Sequence, residues 1–330
     1  MTRNILVTGG AGYIGSHTCK ALHAAGFKPI VLDDLVYGHE RFVRWGPLTR
    51  GDIRDVDLVR QLIRDNKIEA VIHFAALAYV GESVSEPEKY YNNNVVGTLR
   101  LIQAMQATEC RKIVFSSTCA IYGEVLVDLI SEDLPAWPVN PYGRSKLVCE
   151  MMLEDVAAAT DISFTALRYF NAAGGDPDGE LGEDRVVETH LIPRAMMALR
   201  GHLDNFQVFG SDFPTPDGTA IRDYIHVTDL AEAHVQALLR MLNGAVGGAK
   251  FNLGTGQGFS VREVLTAIER VSGRALPEIV GPRRLGDPAR LVADASLARR
   301  ELAFRPRLSD LETIIETAWR WHMKAHPDLS

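Results

Sequence analysis

The sequence contains no long hydrophobic run. Its apolar stretches stay well short of the roughly 18 consecutive residues that cross a membrane. The first residues, MTRNILVTGG, show no charged leader followed by an apolar segment and a cleavage site. We therefore expect neither a secretory signal nor a membrane partner, and the cytoplasm is the expected compartment.

Cysteine is scarce and has no metal-binding spacing. The 330 residues include four cysteines, Cys19, Cys110, Cys119 and Cys149. The absence of a CxxC pair predicts neither a zinc site nor a disulfide framework, and it favours a reducing compartment. His73, His190 and His226 also lack the spacing of a metal site, so their spacing predicts structural histidines and no metal.

An excess of basic residues is missing as well. Lys and Arg number 35 against 42 Asp and Glu, which gives a formal net charge of -7 at pH 7. This balance argues against a nucleic-acid partner, although a local arginine cluster can still hold a phosphorylated ligand. The length exceeds one typical domain, so we expect a large domain with a smaller partner.

Apolar β-like runs alternate with longer helical patterns through the first half of the chain, as is typical of βαβ units. The predicted strands are ILVTG, PIVLD, AVIHFAA, KIVFSS and FTALRYF, and the predicted helices are 12–26, 55–66, 88–108 and 141–159. Beyond Asn171, segments 174–184 and 210–223 are rich in Gly, Pro and Asp, which predicts loops. Further helices are predicted near 190–200, 228–242, 260–272 and 310–325.

These patterns predict an α/β fold, namely a Rossmann-type doubly wound parallel sheet with a smaller mixed α/β C-terminal lobe for the substrate. We expect the first domain at 1–171 and the lobe mainly at 172–330. A segment near 222–255 is expected to return to the first domain.

Three glycines follow the first strand in ILVTGGAGYIGSH, at Gly9, Gly12 and Gly15. Glycine there lets a pyrophosphate approach the backbone at a helix N-terminus, although a tight turn with close packing would also explain the pattern. Asp33 ends the second strand about 20 residues later, where a carboxylate accepts hydrogen bonds from an adenosine ribose and repels a 2′-phosphate. NAD is therefore favoured over NADP.

The segment NPYGRSK at 140–146 begins a helix, because Asn140 is a good N-cap and Pro141 suits the first helical position. Tyr142 and Lys146 then share one face. A phenol has a pKa of about 10, so a base near neutrality needs that value lowered by roughly 3, or about 4 kcal/mol. An ammonium at about 4 Å supplies this interaction energy only where the effective dielectric constant is about 20, and such a value requires a site sheltered from water.

Taken together, the glycine motif, FSST and the Tyr142-xxx-Lys146 pair resemble the extended short-chain dehydrogenase/reductase family. Within that family, the segments HFAALAYVGESV, YYNNNVVGT, SSTCAIYG, LRYFNAAG, GTAIRDYIHV and RRLGD resemble those of UDP-sugar 4-epimerases. The resemblance runs from about residue 4 to residue 325. It implies a tightly held NAD and a UDP-sugar substrate.

The implied reaction is reversible 4-epimerisation, with UDP-glucose and UDP-galactose favoured as substrates. By the resemblance, Tyr142 removes the proton of the sugar 4-hydroxyl, Lys146 lowers the pKa of Tyr142, and Thr118 hydrogen-bonds the sugar and the base. The C4 hydride passes to the NAD and returns to the opposite face of a 4-keto sugar.

The resemblance and the motifs together give a set of expected contacts. The residues expected at the NAD are Gly9, Gly12, Tyr13, Ile14, Gly15, Asp33, Asp52, Ile53, Phe74, Ala75, Asn93, Tyr142, Lys146 and Tyr169. The residues expected at the UDP-sugar are Thr118, Tyr142, Asn171, His190, Leu191, Arg222, Arg284 and Asp287. An isolated arginine is more often a solvated surface charge, and an aromatic residue ending a strand is more often core.

Two departures from the family pattern leave alternatives open. Ala78 replaces a lysine that many relatives place near the cofactor, and Leu291 replaces a bulky tyrosine of some relatives. With Leu291, a hexose, an N-acetylhexosamine or a pentose fits the expectation. A 4,6-dehydratase is disfavoured because Cys119 and Ala120, rather than an acidic pair, follow Thr118. A non-catalytic NAD sensor is disfavoured by the presence of Thr118, Tyr142 and Lys146 together.

The oligomeric expectation also comes from the resemblance. The helices at 88–108 and 141–159 resemble those that form a four-helix contact between two subunits in the family, so a homodimer is expected.

Overall fold

The centre of the protein is a seven-stranded parallel sheet, in a computed structural model that describes residues 2–284 and 287–326. The strands are β1 (Asn4–Thr8), β2 (Lys28–Asp33), β3 (Leu48–Arg50), β4 (Ile68–His73), β5 (Lys112–Thr118), β6 (Ser163–Tyr169), β7 (Asn171–Ala173), β8 (Gln207–Phe209), β9 (Ile221–His226), β10 (Gly248–Leu253), β11 (Gly258–Ser260), β12 (Ile279–Gly281) and β13 (Arg290–Leu291). The helices are α1 (Tyr13–Ala24), α2 (Val56–Asp65), α3 (Val80–Ser85), α4 (Pro87–Tyr90), α5 (Gly97–Gln106), α6 (Pro141–Ala159), α7 (Leu191–Leu199), α8 (Val227–Leu242), α9 (Val261–Ser272), α10 (Ser296–Glu301) and α11 (Leu311–Ala325).

The strand order in this sheet is β10-β6-β5-β4-β1-β2-β3, and the paired strands are parallel. The chain therefore starts in the middle of the sheet and winds outward in both directions. Ligands of such sheets bind beyond the carboxyl ends of the strands, where the order reverses. In this protein that point lies between β1 and β4.

Both faces of the sheet are covered, which confirms the predicted doubly wound α/β fold. One apolar cluster joins β1 and β4 to α1 and α8, through residues such as Ile5 and Leu230. The second cluster joins the other face to α2, α5 and α6, through residues such as Leu101 and Leu153. All seven residues of β6 are buried, as expected for a strand covered on two sides.

A smaller lobe carries the remaining strands. β9 lies at the centre of its four-stranded sheet and pairs with β7, β11 and β13. β8 and β12 form a separate pair, and α7, α9 and α11 share one apolar cluster. Of the segment near 222–255, α8 and β10 pack with the large sheet, whereas β9 belongs to the smaller one. The division at residue 171 stays a prediction.

Two local predictions were wrong in part. The predicted helix 88–108 is interrupted by a π-helical turn at Tyr91–Val96, between α4 and α5. The segment 210–223, predicted as loop from its Gly, Pro and Asp content, ends inside β9. Pairing with three partner strands outweighs the weak strand propensity of this segment.

None of the helices among the described residues combines the length and the apolar character needed to span a bilayer.

Five buried histidines make stability depend on pH. Burial lowers the pKa of four of them to about 4, namely His17, His226, His234 and His322. It lowers the pKa of His73 to about 3. An unfolded histidine titrates near pH 6.5. As the pH falls below about 6.5, the unfolded chain therefore binds protons that the folded chain does not, and folding weakens.

We expect the free energy of unfolding to fall between about pH 6.5 and pH 4, by up to about 1.4 kcal/mol per pH unit for each histidine. Urea unfolding at several pH values measures this. His234→Gln removes one such proton and should flatten the slope accordingly. An unchanged slope in that variant would contradict the assignment.

Candidate active site

The glycine loop lies between β1 and α1, at the expected edge of the sheet. Gly9 has a φ of 74°, and a Cβ there would lie 2.6 Å from the amide nitrogen of Ala75. A Cβ on Gly15 would lie 2.2 Å from the carbonyl oxygen of Gly9. These two glycines are therefore required by the packing of the loop itself.

Gly12 is different, because packing within the protein hardly requires a glycine at this position. Its backbone is extended with a φ of -82°, and a Cβ would approach only the Gly9 carbonyl oxygen, at 3.3 Å. Gly12 is the N-cap of α1, and no side chain caps the helix there. The first N–H groups of α1, from Tyr13 and Ile14 onward, have no intrahelical acceptor. This open, electropositive helix start fits a dinucleotide pyrophosphate.

Asp33 ends β2 next to the glycine loop. Its carboxylate accepts hydrogen bonds from the backbone N–H groups of Ala11 and Leu35, both at 2.9 Å. Burial raises the pKa of Asp33, and the two N–H groups oppose that rise. A carboxylate has about four lone-pair sites, so acceptor capacity remains for a ribose.

The segment NPYGRSK begins α6 as predicted. Asn140 caps the helix by accepting a hydrogen bond from the Gly143 N–H at 2.8 Å, and Pro141 takes the first position. Lys146 is buried, and its Nζ donates to the carbonyl oxygen of Ser116 at 2.8 Å. The same ammonium lies 4.9 Å from the centre of the Phe115 ring. Burial lowers the pKa of Lys146 to about 8.

The pKa of Tyr142 is shifted in the direction opposite to our expectation. Burial raises it to about 12, and the hydrogen-bonding Thr118 hydroxyl opposes the rise. The cation of the protein that also lowers it is Arg185, not Lys146 as expected. Lys146 directs its ammonium to Ser116 instead. In the electrostatic environment of the protein alone, the phenol is therefore held protonated, and it is not a ready base.

Sequence reasoning missed Arg185. Its guanidinium lies 5.3 Å from the centre of the Tyr79 ring and bonds Glu183 at 2.8 Å. His190, predicted at the substrate, bonds the same carboxylate at 2.7 Å. Burial disfavours the charged Glu183, but His190 and Arg185 outweigh it and hold its pKa low. Nothing in the sequence distinguishes this arginine from a loop charge.

A buried hydrogen-bond chain joins the glycine loop to α6. The Thr8 hydroxyl bonds Nδ1 of His73 at 2.6 Å, and Nε2 of His73 bonds the Thr98 hydroxyl at 3.0 Å. Thr98 donates to the Asn94 carbonyl oxygen at 2.6 Å, and the Asn94 amide donates to the Ser145 hydroxyl at 3.0 Å. The structural role expected for His73 fits this position.

Asn94 is a second residue that sequence reasoning missed, in favour of Asn93. Asn94 is buried within the π turn, and its side chain also bonds the N–H and carbonyl groups of Leu77 at 2.8 and 3.1 Å. Asn93 is half-buried, and its side chain donates to that of Asn94 at 3.0 Å. A hint was available, because three consecutive asparagines are unusual inside a helix.

Three of the residues predicted at the UDP-sugar, Arg222, Arg284 and Asp287, lie near one another. Arg222 of β9 forms an ion pair with Asp287. The Arg284 guanidinium lies 4.0 Å from the centre of the Phe209 ring, within electrostatic range of Asp287 and Arg222. Burial lowers the pKa of Arg284. Two arginines thus share one nearby carboxylate, which leaves positive charge for an anion.

Cys119 connects the two halves of the site, since its thiol is within electrostatic range of both Tyr142 and Arg222. Thr118 and Tyr142, at the edge of the large sheet, are therefore near Arg222 of the smaller sheet. Asn171 begins β7, opposite Tyr224 of β9, and Leu191 begins α7.

Other predicted contacts occupy varied places. Tyr169 is buried and its hydroxyl bonds that of Ser116, while the Phe74 ring lies 4.7 Å from that of His234. Asp52 is bound by Arg54. Ile53 belongs to the apolar core, in contact range of Gly97. Their contacts with a cofactor stay predictions.

The model of the NAD dependent epimerase/dehydratase family matches residues 5–254. The chain belongs to this family.

Relatives in this epimerase/dehydratase family match nearly the whole chain. The chain is 49% identical over 321 residues to a UDP-glucose 4-epimerase of Rhizobium meliloti, covering 97% of each. It is 52% identical to the UDP-glucose 4-epimerase of Brucella ovis solved in complex with NAD, with a TM-score of 0.94, covering 96% of this chain and 98% of that one. A UDP-glucose-4-epimerase from Stenotrophomonas maltophila, solved with NAD and formylated UDP-arabinopyranose, is 40% identical with a TM-score of 0.94, covering 98% of each chain.

The glycine geometry generates a matched pair of variants. Gly15→Ala forces a Cβ against the Gly9 carbonyl, so it should cost roughly 1–3 kcal/mol of stability. Gly12→Ala needs only a small adjustment, so stability should change by less than about 1 kcal/mol. Its methyl group would obstruct the helix start, and dinucleotide affinity should fall roughly tenfold, or about 1.4 kcal/mol. Thermal unfolding and bound NAD measure the two effects. Parent-like NAD binding by Gly12→Ala would contradict the placement.

Proposed function

We propose that the chain catalyses the reversible 4-epimerisation of a UDP-sugar, with tightly bound NAD and with UDP-glucose and UDP-galactose as the preferred pair. The observation that carries the proposal is the Thr118 hydroxyl bonded to the Tyr142 phenol, with Lys146 buried four residues further along α6 and Arg222 within electrostatic range of the adjoining Cys119. The named relatives, two of them solved with NAD, support it over nearly the full chain.

Tyr142 is proposed as the group that removes the proton of the sugar 4-hydroxyl and later returns it. Thr118 supports this role, because its hydroxyl bonds the phenol and lowers its pKa. Bound NAD would supply both the hydride acceptor and the hydride donor of the reaction, while Tyr142 and Thr118 would hold the sugar oxygen whose proton is exchanged. The positive charge of the oxidised ring would lower the pKa of Tyr142, which burial otherwise holds at about 12.

Lys146 is proposed to act mainly on the cofactor, by contacting its ribose and by placing a positive charge beside it. Its ammonium is held by Ser116 and by the Phe115 ring, so its position is fixed before any ligand binds. With its pKa near 8, it carries a positive charge at neutral pH in most molecules. We propose that this charge acts on the bound cofactor, since the cation that lowers the pKa of Tyr142 within the protein is Arg185.

The diphosphate is proposed to bind Arg222 and Arg284. Arg222 is half-buried and Arg284 is exposed, and the fork of a guanidinium pairs with two phosphate oxygens at once. Asp287 holds Arg222 in place and leaves net positive charge between the two arginines. Asn171, His190 and Leu191 are proposed to complete the substrate contacts.

Alternative substrates differ in the size of the sugar. Leu291 of β13 is half-buried beside Arg222 in the sheet register, where a smaller side chain than tyrosine leaves room. An N-acetylhexosamine or a pentose is therefore the second proposal, and the Stenotrophomonas maltophila structure, solved with a formylated UDP-pentose derivative, gives it support. Dehydration remains disfavoured, because Cys119 and Ala120 offer no acid and base after Thr118.

The assembly, domain division and compartment are further proposals. A homodimer is supported by exposed apolar side chains on α3, on α5, on α6 and in the π turn between α4 and α5, namely Val80, Val84, Tyr91, Leu99 and Met151. Light scattering should give twice the mass of one chain.

We also propose the division into an NAD domain at 1–171 and a UDP-sugar lobe, with α8 and β10 returning to the NAD domain. The four free thiols support the cytoplasm.

A substrate panel tests the main proposal. Purified protein is incubated separately with UDP-hexoses, UDP-N-acetylhexosamines and UDP-pentoses, and the products are resolved by chromatography. We expect interconversion of UDP-glucose and UDP-galactose. If every UDP-sugar were recovered unchanged from protein that holds NAD, the epimerase proposal would fail.

The base role of Tyr142 has its own test. Tyr142→Phe removes the hydroxyl but keeps the ring, so it should retain NAD and lose at least roughly 100-fold in turnover, the usual range for a general base. Tyr37→Phe is a control, because its hydroxyl faces Glu82 at 3.4 Å and has no proposed contact with the substrate. Near-normal turnover of Tyr142→Phe would remove it from the base role.

A further inference from the structure

The inward face of α6 carries few apolar groups for a helix that packs on a buried sheet. Its fully buried residues are Gly143, Ser145, Lys146, Cys149, Glu150 and Leu153. Leu153 is the one large aliphatic side chain among them. Apolar side chains that interlock with the strands usually fix where a helix lies on a sheet. This helix has little of that interlocking along its first three turns.

Polar contacts attach α6 to the sheet instead. Lys146 donates to the Ser116 carbonyl in β5, and one turn later Glu150 accepts hydrogen bonds from Arg168 in β6. The Arg168 nitrogens Nε and Nη2 lie 3.0 and 2.6 Å from the Glu150 oxygens. Ser117 donates its hydroxyl to the same carboxylate. The Glu150 and Arg168 side chains are only 1% and 4% exposed.

The two strand residues that bind Glu150 come one residue before Thr118 in β5 and before Tyr169, an expected NAD contact, in β6. Ser117 is paired with Arg168 in the register of β5 and β6, and the next pair is Thr118 with Tyr169. Arg168 also donates to the Tyr122 hydroxyl at 2.9 Å, and Tyr122 donates to the Asn252 side chain at 2.7 Å. The charges are therefore fully paired, and they tie α6 to three neighbouring strands.

A buried ion pair is a poor source of stability, because the loss of hydration offsets the attraction between the charges. Apolar residues of similar volume often serve stability as well or better. What the pair offers in addition is a fixed geometry, since a guanidinium and a carboxylate match in one orientation. An α-helix is rigid enough to carry that geometry from Glu150 back over two turns to Tyr142.

We propose that Glu150 and Arg168 are positioning residues, whose ion pair fixes α6 along β5 and β6 and so sets Tyr142 against Thr118. The inference rests on the proposed function for its kinetic consequence. The attachment of α6 itself is independent of the substrate.

The decisive variant is the double substitution Glu150→Leu with Arg168→Met, which removes both charges together. Glu150→Gln leaves Arg168 buried without its partner, so it should lower both the melting temperature and kcat. The double variant should recover much of the melting temperature while kcat stays down roughly tenfold or more, since small misplacements of reacting groups are costly. KM and NAD content should change little.

Two readouts separate positioning from simple loss of stability. In a plot of kcat against pH, the limb that reports the ionisation of Tyr142 should shift to higher pH in the double variant. The Thr118 hydroxyl would no longer be placed to hydrogen-bond the phenolate and lower its pKa. Amide hydrogen exchange should quicken at the start of α6 and not in α8. Asp229→Asn is the matched control. Asp229 is a buried carboxylate that accepts hydrogen bonds from the backbone N–H groups of Arg307 and Leu308 and from the Ser309 hydroxyl. This variant should therefore lose stability while its pH profile of kcat stays unchanged.

Recovery of kcat together with the melting temperature in the double variant would overturn the proposal, and so would parent-like exchange at the start of α6. If the parent protein converted no UDP-sugar, the proposed function would fail, whereas the exchange comparison would still decide whether the ion pair holds α6.

Discussion

Parallel pairing of β1, β4, β5 and β6 brings their carboxyl ends to one edge of the sheet, and the proposed cofactor and catalytic groups depend on that edge. Gly9 follows β1, His73 ends β4, Thr118 ends β5 and Tyr169 ends β6. Residues far apart in sequence therefore become neighbours without any long-range signal of their own. The helix α6 then adds Tyr142 and Lys146 to the same edge.

Burial acts in one direction on the ionisable groups at this edge. It raises the pKa of Tyr142 to about 12, and lowers that of Lys146 to about 8 and that of His73 to about 3. Each change favours the neutral form, as expected where water is excluded. The protein therefore does not hold a ready phenolate. In the same sheltered space a ligand charge acts strongly, so ionisation of Tyr142 depends on what is bound beside it.

The sequence predicted the sheet and most helices, because those depend on periodicity, caps and ordered motifs, whereas the cofactor and substrate contacts stay predictions. Asn140 and Pro141, for example, determine locally where α6 begins. The contacts of Lys146 were not predictable, because the choice between Tyr142 and the Ser116 carbonyl depends on the height of α6 on the sheet. Arg185 and Asn94 were missed for the same reason: their roles come from partners more than 15 residues away, Tyr142 and Ser145.

The two sheets divide the work of the site in a way that bears on substrate choice. The ends of the large sheet carry the proposed chemistry, whereas Arg222 and Leu291 are paired across β9 and β13 of the smaller one. Leu291 also packs on the apolar cluster of Ile121 and Phe170, which follow Thr118 and Tyr169 in the chain. A larger residue at 291 would therefore press on Ile121 and Phe170, while its backbone stays paired with Arg222. If Arg222 binds the diphosphate as proposed, residue 291 lies between that contact and the apolar residues beyond Thr118, so we expect a change of sugar specificity at 291 to need compensating changes around Ile121 and Phe170.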